Sequence, residues 1–472
     1  MSKDFENVSS GGIERGRRGR EISANLLLAP QKPFLRTVSL RDLGTIKIFL
    51  PFLLFLAFFF PNTRIEPLNE IMIAGRWVTL LAIAGFVLIR WLLSKSILFD
   101  HPRKGPLTGL EITFILAFFW LGLSVIESVN PPLSFMKWFV FLFFLLFCAS
   151  YSNLLKSRED LILMLYPFII FFVGFIWSIP ISIRYFPQPL SSLGFINGLL
   201  VFTNALGQFL AVFGIPAVLF MLTYSLSQRM RTFLTITLFL AVFSTIYSGS
   251  RAGIFSSFFI LGLALWRWRR DKRFAFLKVT LFCVGFLFIF MNTHIGEHFS
   301  RLLYKYPDES GILSSRLDFW ERTLEAFQER PVWGFGFGVQ RQHVDTPVGF
   351  FTIGYREQGS TYYALLEEVG LAGTIPIFVF FCFIGYKCCL SLWRSSDPLD
   401  LFFSRVIFAG LGLAAFENYL LALGNATSIL VVLAFFLQER LKSMAGREIS
   451  QRVASSAQVF KKTSMAWRQE IS

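Results

Sequence analysis

From about residue 46 to residue 437, apolar runs alternate with short polar stretches, and most runs approach the roughly 20 residues a helix needs to cross about 30 Å of hydrocarbon. The pattern predicts spans near 46–60, 77–94, 107–126, 134–155, 161–183 and 198–224, then near 232–248, 252–268, 275–292, 364–391, 401–417 and 424–437, with ends uncertain by about four residues. Twelve spans would leave both termini on one side. The expected architecture is an all-α polytopic membrane protein.

Lys and Arg test this count, because they concentrate in alternate short loops on the cytosolic side. One set of loops carries Arg15, Arg17, Arg18 and Arg20, then Lys95, Arg103 and Lys104, then Lys156 and Arg158, then Arg229 and Arg231. The same side holds Arg267, Arg269, Arg270, Lys272 and Arg273, then Lys387 and Arg394, and the tail with Arg440, Lys442, Lys461 and Lys462. That side is read as the cytosol. The expected domains are a basic N-terminal segment, 1–44, a membrane domain, 45–437, and a basic cytosolic tail, 438–472. The opposite side receives the remaining loops, of which that at 293–363 is far longer than a connection requires and is expected to carry function.

Composition sharpens the class. The chain is 54% hydrophobic and only 16% charged, with 59 phenylalanines, which excludes an ordinary soluble domain. The net charge of +15 sits between apolar runs and at the ends, so it reads as a topology determinant touching anionic lipid, not as a nucleic-acid surface. The first 44 residues are long and Arg-rich, and no small-residue cleavage site follows the first apolar run, so that span is expected to stay in the chain. Five cysteines lie inside or border apolar runs without metal-ligand spacing, and neither a disulfide framework nor a metal site is expected.

Three stretches carry candidate chemistry. In YSGSRAG, residues 247–253, small residues make a tight extracytoplasmic hairpin and Arg251 opens the next span. Arg251 is either a headgroup anchor or, with the N–H groups starting that helix, part of an anion site. In SSRLDFWERTLEAFQERPVWGFGFG, Ser315 and Asp318 form a capping-box pattern, Pro331 stops the run, and Trp320, Leu324 and Phe327 mark one face of an amphipathic helix at the interface. Arg316 falls in its first turn, where a cation opposes the helix dipole unless Asp318 or a bound anion compensates. In GSTYYALLEEVGLAG, residues 359–373, Gly370 and Gly373 suit close helix packing, while Glu367 and Glu368 at the mouth of a span call for a partner such as Arg251 or Arg316.

Taken in order, these three motifs resemble the C-terminal signature of the O-antigen ligase and O-antigen polymerase family over about residues 240–440, with Asn204 in VFTNALGQFLA weakly similar to an Asn-containing segment of that family. The resemblance implies a metal-independent, cofactor-free glycosyltransferase of the bacterial inner membrane, multi-pass with cytosolic termini. It would use an undecaprenyl-diphosphate-linked glycan donor and an acceptor hydroxyl on lipid A core, a growing glycan or a protein. The family's paired arginines fall on Arg251 and Arg316, which would hold the diphosphate. Substrate-binding expectations are Arg184, Asn204, Ser250, Trp320 and Tyr362.

Where the family has His-Asn-Ser-Tyr, this chain has Gly359, Ser360, Thr361 and Tyr362, so the histidine is missing. His343 beside Asp345, Glu357 and Glu368 are the alternatives for activating the acceptor. Two further classes stay open. A solute transporter would use Arg90, Glu111 and Arg405, although snorkelling at span ends accounts for these; the other class is a non-catalytic component of glycan assembly.

Overall fold

The computed structural model describes residues 45–94, 109–185, 196–223, 227–268, 314–341, 359–421 and 425–471. Among them every regular element is helical, apart from one bridge pairing Thr63 with Leu200. The helices are α1 Thr45–Phe59, α2 Glu66–Ser94, α3 Gly109–Ile126, α4 Pro131–Leu154, α5 Arg158–Tyr185, α6 Thr203–Phe209, α7 Ile215–Thr223, α8 Gln228–Tyr247 and α9 Arg251–Trp268. After them come α10 Ser314–Glu329, α11 Thr361–Arg394, α12 Pro398–Ala414 and α13 Ala426–Ile471. The expected spans fall on these helices, that near 198–224 being divided between α6, a short π turn and α7, while the run near 275–292 lies outside the described residues. Among the described residues, five segments, Pro131–Leu154, Arg158–Arg184, Asn204–Thr223, Gln228–Tyr247 and Thr361–Arg394, are long and apolar enough to cross a membrane by length and composition.

Phenylalanine fills the core. Phe55, Phe168, Phe172 and Phe209 are almost wholly buried where α1, α5 and α6 meet, and the Phe172 ring stacks on Phe213 at 4.6 Å. Between α6 and α7 the backbone widens into a π turn at Leu210–Gly214, just ahead of Pro216. A proline there has no N–H to donate and its ring crowds the carbonyl four residues back, which a wider turn relieves.

Loops expected on one face meet one another. Asn62 and Arg64 exchange backbone hydrogen bonds with Val201 and Leu199, and the Ile196 N–H donates to the Tyr247 carbonyl. At the other end, Arg158 pairs with Asp397, and the Arg440 guanidinium donates to the carbonyls of Leu155 and Asn153. The helix holding the last expected span continues through the basic tail to Ile471, and Arg440, Leu441 and Met444 are buried in it beyond residue 437. Arg405 does not snorkel. It is 2% exposed inside the bundle, next to Ser404, which with Asp400 receives hydrogen bonds from the Gln438 amide.

The largest departure from the pattern is in α11. Gly370 adopts φ 60°, ψ −167°, and the helix breaks there into arms 361–369 and 371–394. The arms fold back on each other, because the Tyr362 ring lies 5.9 Å from Phe378 and 6.2 Å from Phe381. In an unbroken helix, residues 362 and 378 would stand about 24 Å apart. The single tenth span expected near 364–391 is therefore a re-entrant arm followed by a helix of about 36 Å.

Candidate functional site

The Arg251 hairpin turns within three residues. Tyr247 ends α8, Gly249 takes φ +66°, and the Ser248 hydroxyl donates back to the Thr245 carbonyl at 2.7 Å. Ser250 is buried and caps α9, its hydroxyl accepting the Gly253 N–H at 3.3 Å, while the Ile254 N–H reaches the Ser250 carbonyl. These contacts give Ser250 a capping role at the start of α9. The turn is pressed against α6, since a Cβ on Gly253 would lie 2.8 Å from the Gly207 carbonyl and one on Gly207 would lie 2.3 Å from Ser250 Cβ. Asn204, partly buried one turn before Gly207, thus shares this corner with Arg251.

Arg316 lies in the first turn of α10. The described part of that helix is Ser314–Glu329, and it contains both Ser315 and Asp318. Its inward face differs from expectation: Thr323 and Ala326 are fully buried beside the partly buried Trp320 and Phe327, whereas Leu324 and Leu317 point outward. The reason is tertiary, because Ala326 packs in a small cluster with Leu133, Phe335 and Val339, partners that periodicity does not read.

The Arg316 Nη2 donates to Glu417 Oε1 at 2.7 Å, with the side chains only 15% and 12% exposed. Glu417 follows α12 and is held by Thr361, whose N–H and hydroxyl both donate to the Glu417 carbonyl while its Oγ1 accepts from the amides of Tyr419 and Leu420. Beside it, burial pushes the Tyr419 phenol well above its usual range, and its hydroxyl donates to the Gly410 carbonyl. The neighbouring Phe416 ring meets Phe255, one turn into α9 from Arg251, at 6.4 Å. The Arg251 helix and the Arg316 guanidinium therefore converge on the 414–420 segment.

Gly359 sits on the same surface. With φ +67°, a Cβ there would stand 3.2 Å from Trp320 Nε1 and 3.3 Å from Arg316 Cδ. The position that the family resemblance gives to histidine is thus adjacent to Arg316, but this chain places no side chain there. Trp320 stacks on Tyr363 at 5.0 Å and 6°, and its Nε1 is buried with no hydrogen-bond partner among the described residues. Tyr362, expected at the substrate, turns the other way and donates its hydroxyl to the Leu411 carbonyl at 3.1 Å. Of the two adjacent tyrosines, the second faces the arginine helix.

Glu368 does not pair with either arginine. A strap at 331–341 crosses the break in α11, and Glu368 Oε2 accepts the Gly338 N–H at 2.8 Å while Glu367 Oε1 accepts that of Arg341 at 3.0 Å. The strap also supplies what the broken helix lacks. The amides of Phe335 and Gly336 donate to the carbonyls of Glu367 and Glu368, and the amides of Leu371 and Ala372 donate to the carbonyls of Pro331 and Val332. Lys137 of α4 holds the strap's far side at the Gly338 carbonyl, and the hydroxyls of Ser128 and Ser134 hold the carbonyls of Phe335 and Phe337. Unsatisfied backbone at membrane depth is costly, so a broken helix requires such a partner. Gly370, expected to let helices pack, is instead the hinge.

Arg184 is exposed in the last turn of α5, where its charge complements the helix dipole. His343, Asp345 and Glu357 lie outside the described residues. Sequence reasoning missed Glu417, although ENY after an apolar run was a visible signal: a carboxylate at a span end invites a cation.

A bundle of long apolar helices defines the class as a multi-pass membrane protein. Within that class, a family model described as O-antigen ligase matches residues 236–378, from α8 through the Arg251 hairpin, α10, the strap and the α11 break. The match supports the O-antigen ligase and polymerase family, and with it glycan ligase- or polymerase-type transfer in general terms. No curated protein matches the chain.

Proposed function

We propose that the protein transfers or polymerises a glycan from an undecaprenyl-diphosphate-linked donor onto an acceptor hydroxyl at the extracytoplasmic face. The observation that carries this reading is the convergence of the Arg251 helix and Arg316 on the 414–420 segment, within and beside the family-matched stretch. Two guanidinium groups near the bilayer surface suit a lipid diphosphate, and they stabilise the negative charge that develops as it leaves. The acceptor oxygen attacks the anomeric carbon of the first donor sugar, the bond from that carbon to the diphosphate breaks, and the hydroxyl proton passes to a base. With glycine at 359 and Glu368 engaged by the strap, Glu417 is the carboxylate set against the diphosphate cations, and it keeps Arg316 oriented. The Trp320 and Tyr363 pair, with its buried indole N–H, offers a sugar-facing wall beside them.

The test is reconstitution of the purified protein with a defined undecaprenyl diphosphate glycan and, separately, lipid A core, a protein acceptor or no added acceptor. Product on one of these, or longer glycan chains, identifies the acceptor. Arg251→Ala and Arg316→Ala should each abolish transfer while the chain still inserts. Wild-type transfer in both variants would reject the reading and favour a non-catalytic role.

A further inference from the structure

Lys137 is the sole charged side chain of α4, and it lies outside the family-matched stretch and outside the proposed chemistry. A lysine in an apolar span is costly unless it is engaged, and what it engages is the strap. Along 335–338 the strap turns its carbonyls to one neighbour and its amides to the other. On the α4 side, Ser128, Ser134 and Lys137 donate in chain order to the carbonyls of Phe335, Phe337 and Gly338. On the α11 side, the carbonyls of Glu367 and Glu368 accept the amides of Phe335 and Gly336, and the Glu368 carboxylate accepts that of Gly338. Gly338 is thereby gripped through both its polar groups, a cation at the carbonyl and an anion at the N–H. Its φ of +70° and the Lys137 stem, which a Cβ would strike, leave room for glycine alone.

The strap is joined directly to α10. The Arg330 N–H donates to the Phe327 carbonyl at 3.1 Å and the Gly334 N–H to the Arg330 carbonyl at 3.0 Å, so the helix passes into the strap without a free linker. Ala326 of α10 packs with Leu133, Phe335 and Val339, which ties the end of α10, the strap and the start of α4 into one body. Arg316 stands at the far end of α10, about 21 Å of helix from Arg330. A tilt of about 10° at the strap therefore swings Arg316 by about 4 Å. We infer that Lys137 is a positioning residue: by holding the Gly338 carbonyl it fixes the tilt of α10, and so keeps Arg316 beside Glu417 for an incoming lipid diphosphate. The inference rests on the proposed role of Arg316 and adds what aims it.

The experiment uses the full-length protein in lipid nanodiscs with spin labels at Leu317, beside Arg316, and at Phe202, at the corner near Arg251, both exposed. The labels are carried on non-natural amino acids, because Cys382 and Cys389 are exposed. Lys137→Met keeps the side-chain length but loses the charge and the donor. It should shift or broaden the label distance by about 4 Å and lower kcat for transfer by about a hundredfold, the usual cost of misplacing a binding group. Lys137→Arg, which keeps cation and donor, should return both readings toward wild type. Gln438→Leu is the control for lost stability alone, since its partners Asp400 and Ser404 lie at the start of α12, and it should leave both readings unchanged in the folded protein. An unmoved label distance in Lys137→Met, the same shift in Gln438→Leu, or no recovery in Lys137→Arg would overturn the inference. If Lys137→Met does not fold, Ser134→Ala, which removes the donor to the Phe337 carbonyl, takes its place, and an unmoved distance there overturns the inference equally. Transfer plays no part in the distance, so a moved label with no transfer even in the wild type would sink the glycosyltransferase reading and uphold the positioning role.

Discussion

Replacing Gly370 by alanine should break the re-entrant arm. The backbone at φ 60°, ψ −167° belongs to a region that essentially only glycine occupies, so a side chain costs about 1–3 kcal/mol in strain alone. The new Cβ would also stand 2.3 Å from the Val332 oxygen and 2.7 Å from the Trp333 nitrogen, both backbone atoms that do not rotate away. Displacing the strap loosens the hydrogen bonds from Leu371 and Ala372 to Pro331 and Val332, each worth about 0.5–1.5 kcal/mol. Together these suggest a loss near 3 kcal/mol, which is roughly a 150-fold change in the folded-to-unfolded ratio. Gly385→Ala in the same helix is the control, because its Cβ would meet only Leu411 Cδ1 at an ordinary 3.7 Å, and alanine favours a helix interior by about 1 kcal/mol. Denaturant titration of both purified variants measures the difference. Spin labels at positions 363 and 379 add geometry: they should lie close in the wild type, whereas a straight helix would hold those residues about 24 Å apart. If Gly370→Ala matched Gly385→Ala in stability, or the labels reported the straight-helix separation, the fold-back and its strap would be refuted.

Glu417→Gln keeps the shape but removes the charge opposite Arg316, a charge-assisted bond worth about 1.5–3 kcal/mol, so transfer should fall by at least about tenfold with insertion unaltered. Gly253→Ala should cost about 1–3 kcal/mol of stability, read by thermal unfolding, because its Cβ would meet the Gly207 backbone at 2.8 Å. Restoring the family histidine by Gly359→His should lower stability by about 1–3 kcal/mol and fail to raise transfer in the reconstituted assay, since φ +67° disfavours any side chain there. Gln438→Leu should destabilise by about 1–3 kcal/mol in denaturant titration, leaving Asp400 and Ser404 without their buried amide donor.

The apolar runs settle that the chain is a bundle of helices and roughly where each lies, because a membrane span is a property of a segment's own composition. The alternation of basic loops likewise anticipates which loops meet, as the contacts joining residues 62–64 to 199–201 illustrate. The motif around Arg251 and Arg316 was legible because charged residues among apolar ones are conspicuous. Periodicity could not reveal the break in α11, since apolar residues flank Gly370 on both sides and the two arms read as one run. It could not choose Tyr363 over Tyr362 for the arginine side, or tell that Glu368 serves the strap while Glu417 meets Arg316. Those outcomes depend on backbone amides and carbonyls of residues 331–338, which every sequence carries alike. Only the tertiary structure decides which of those groups is left open by a broken helix, and therefore which distant segment must come to satisfy it.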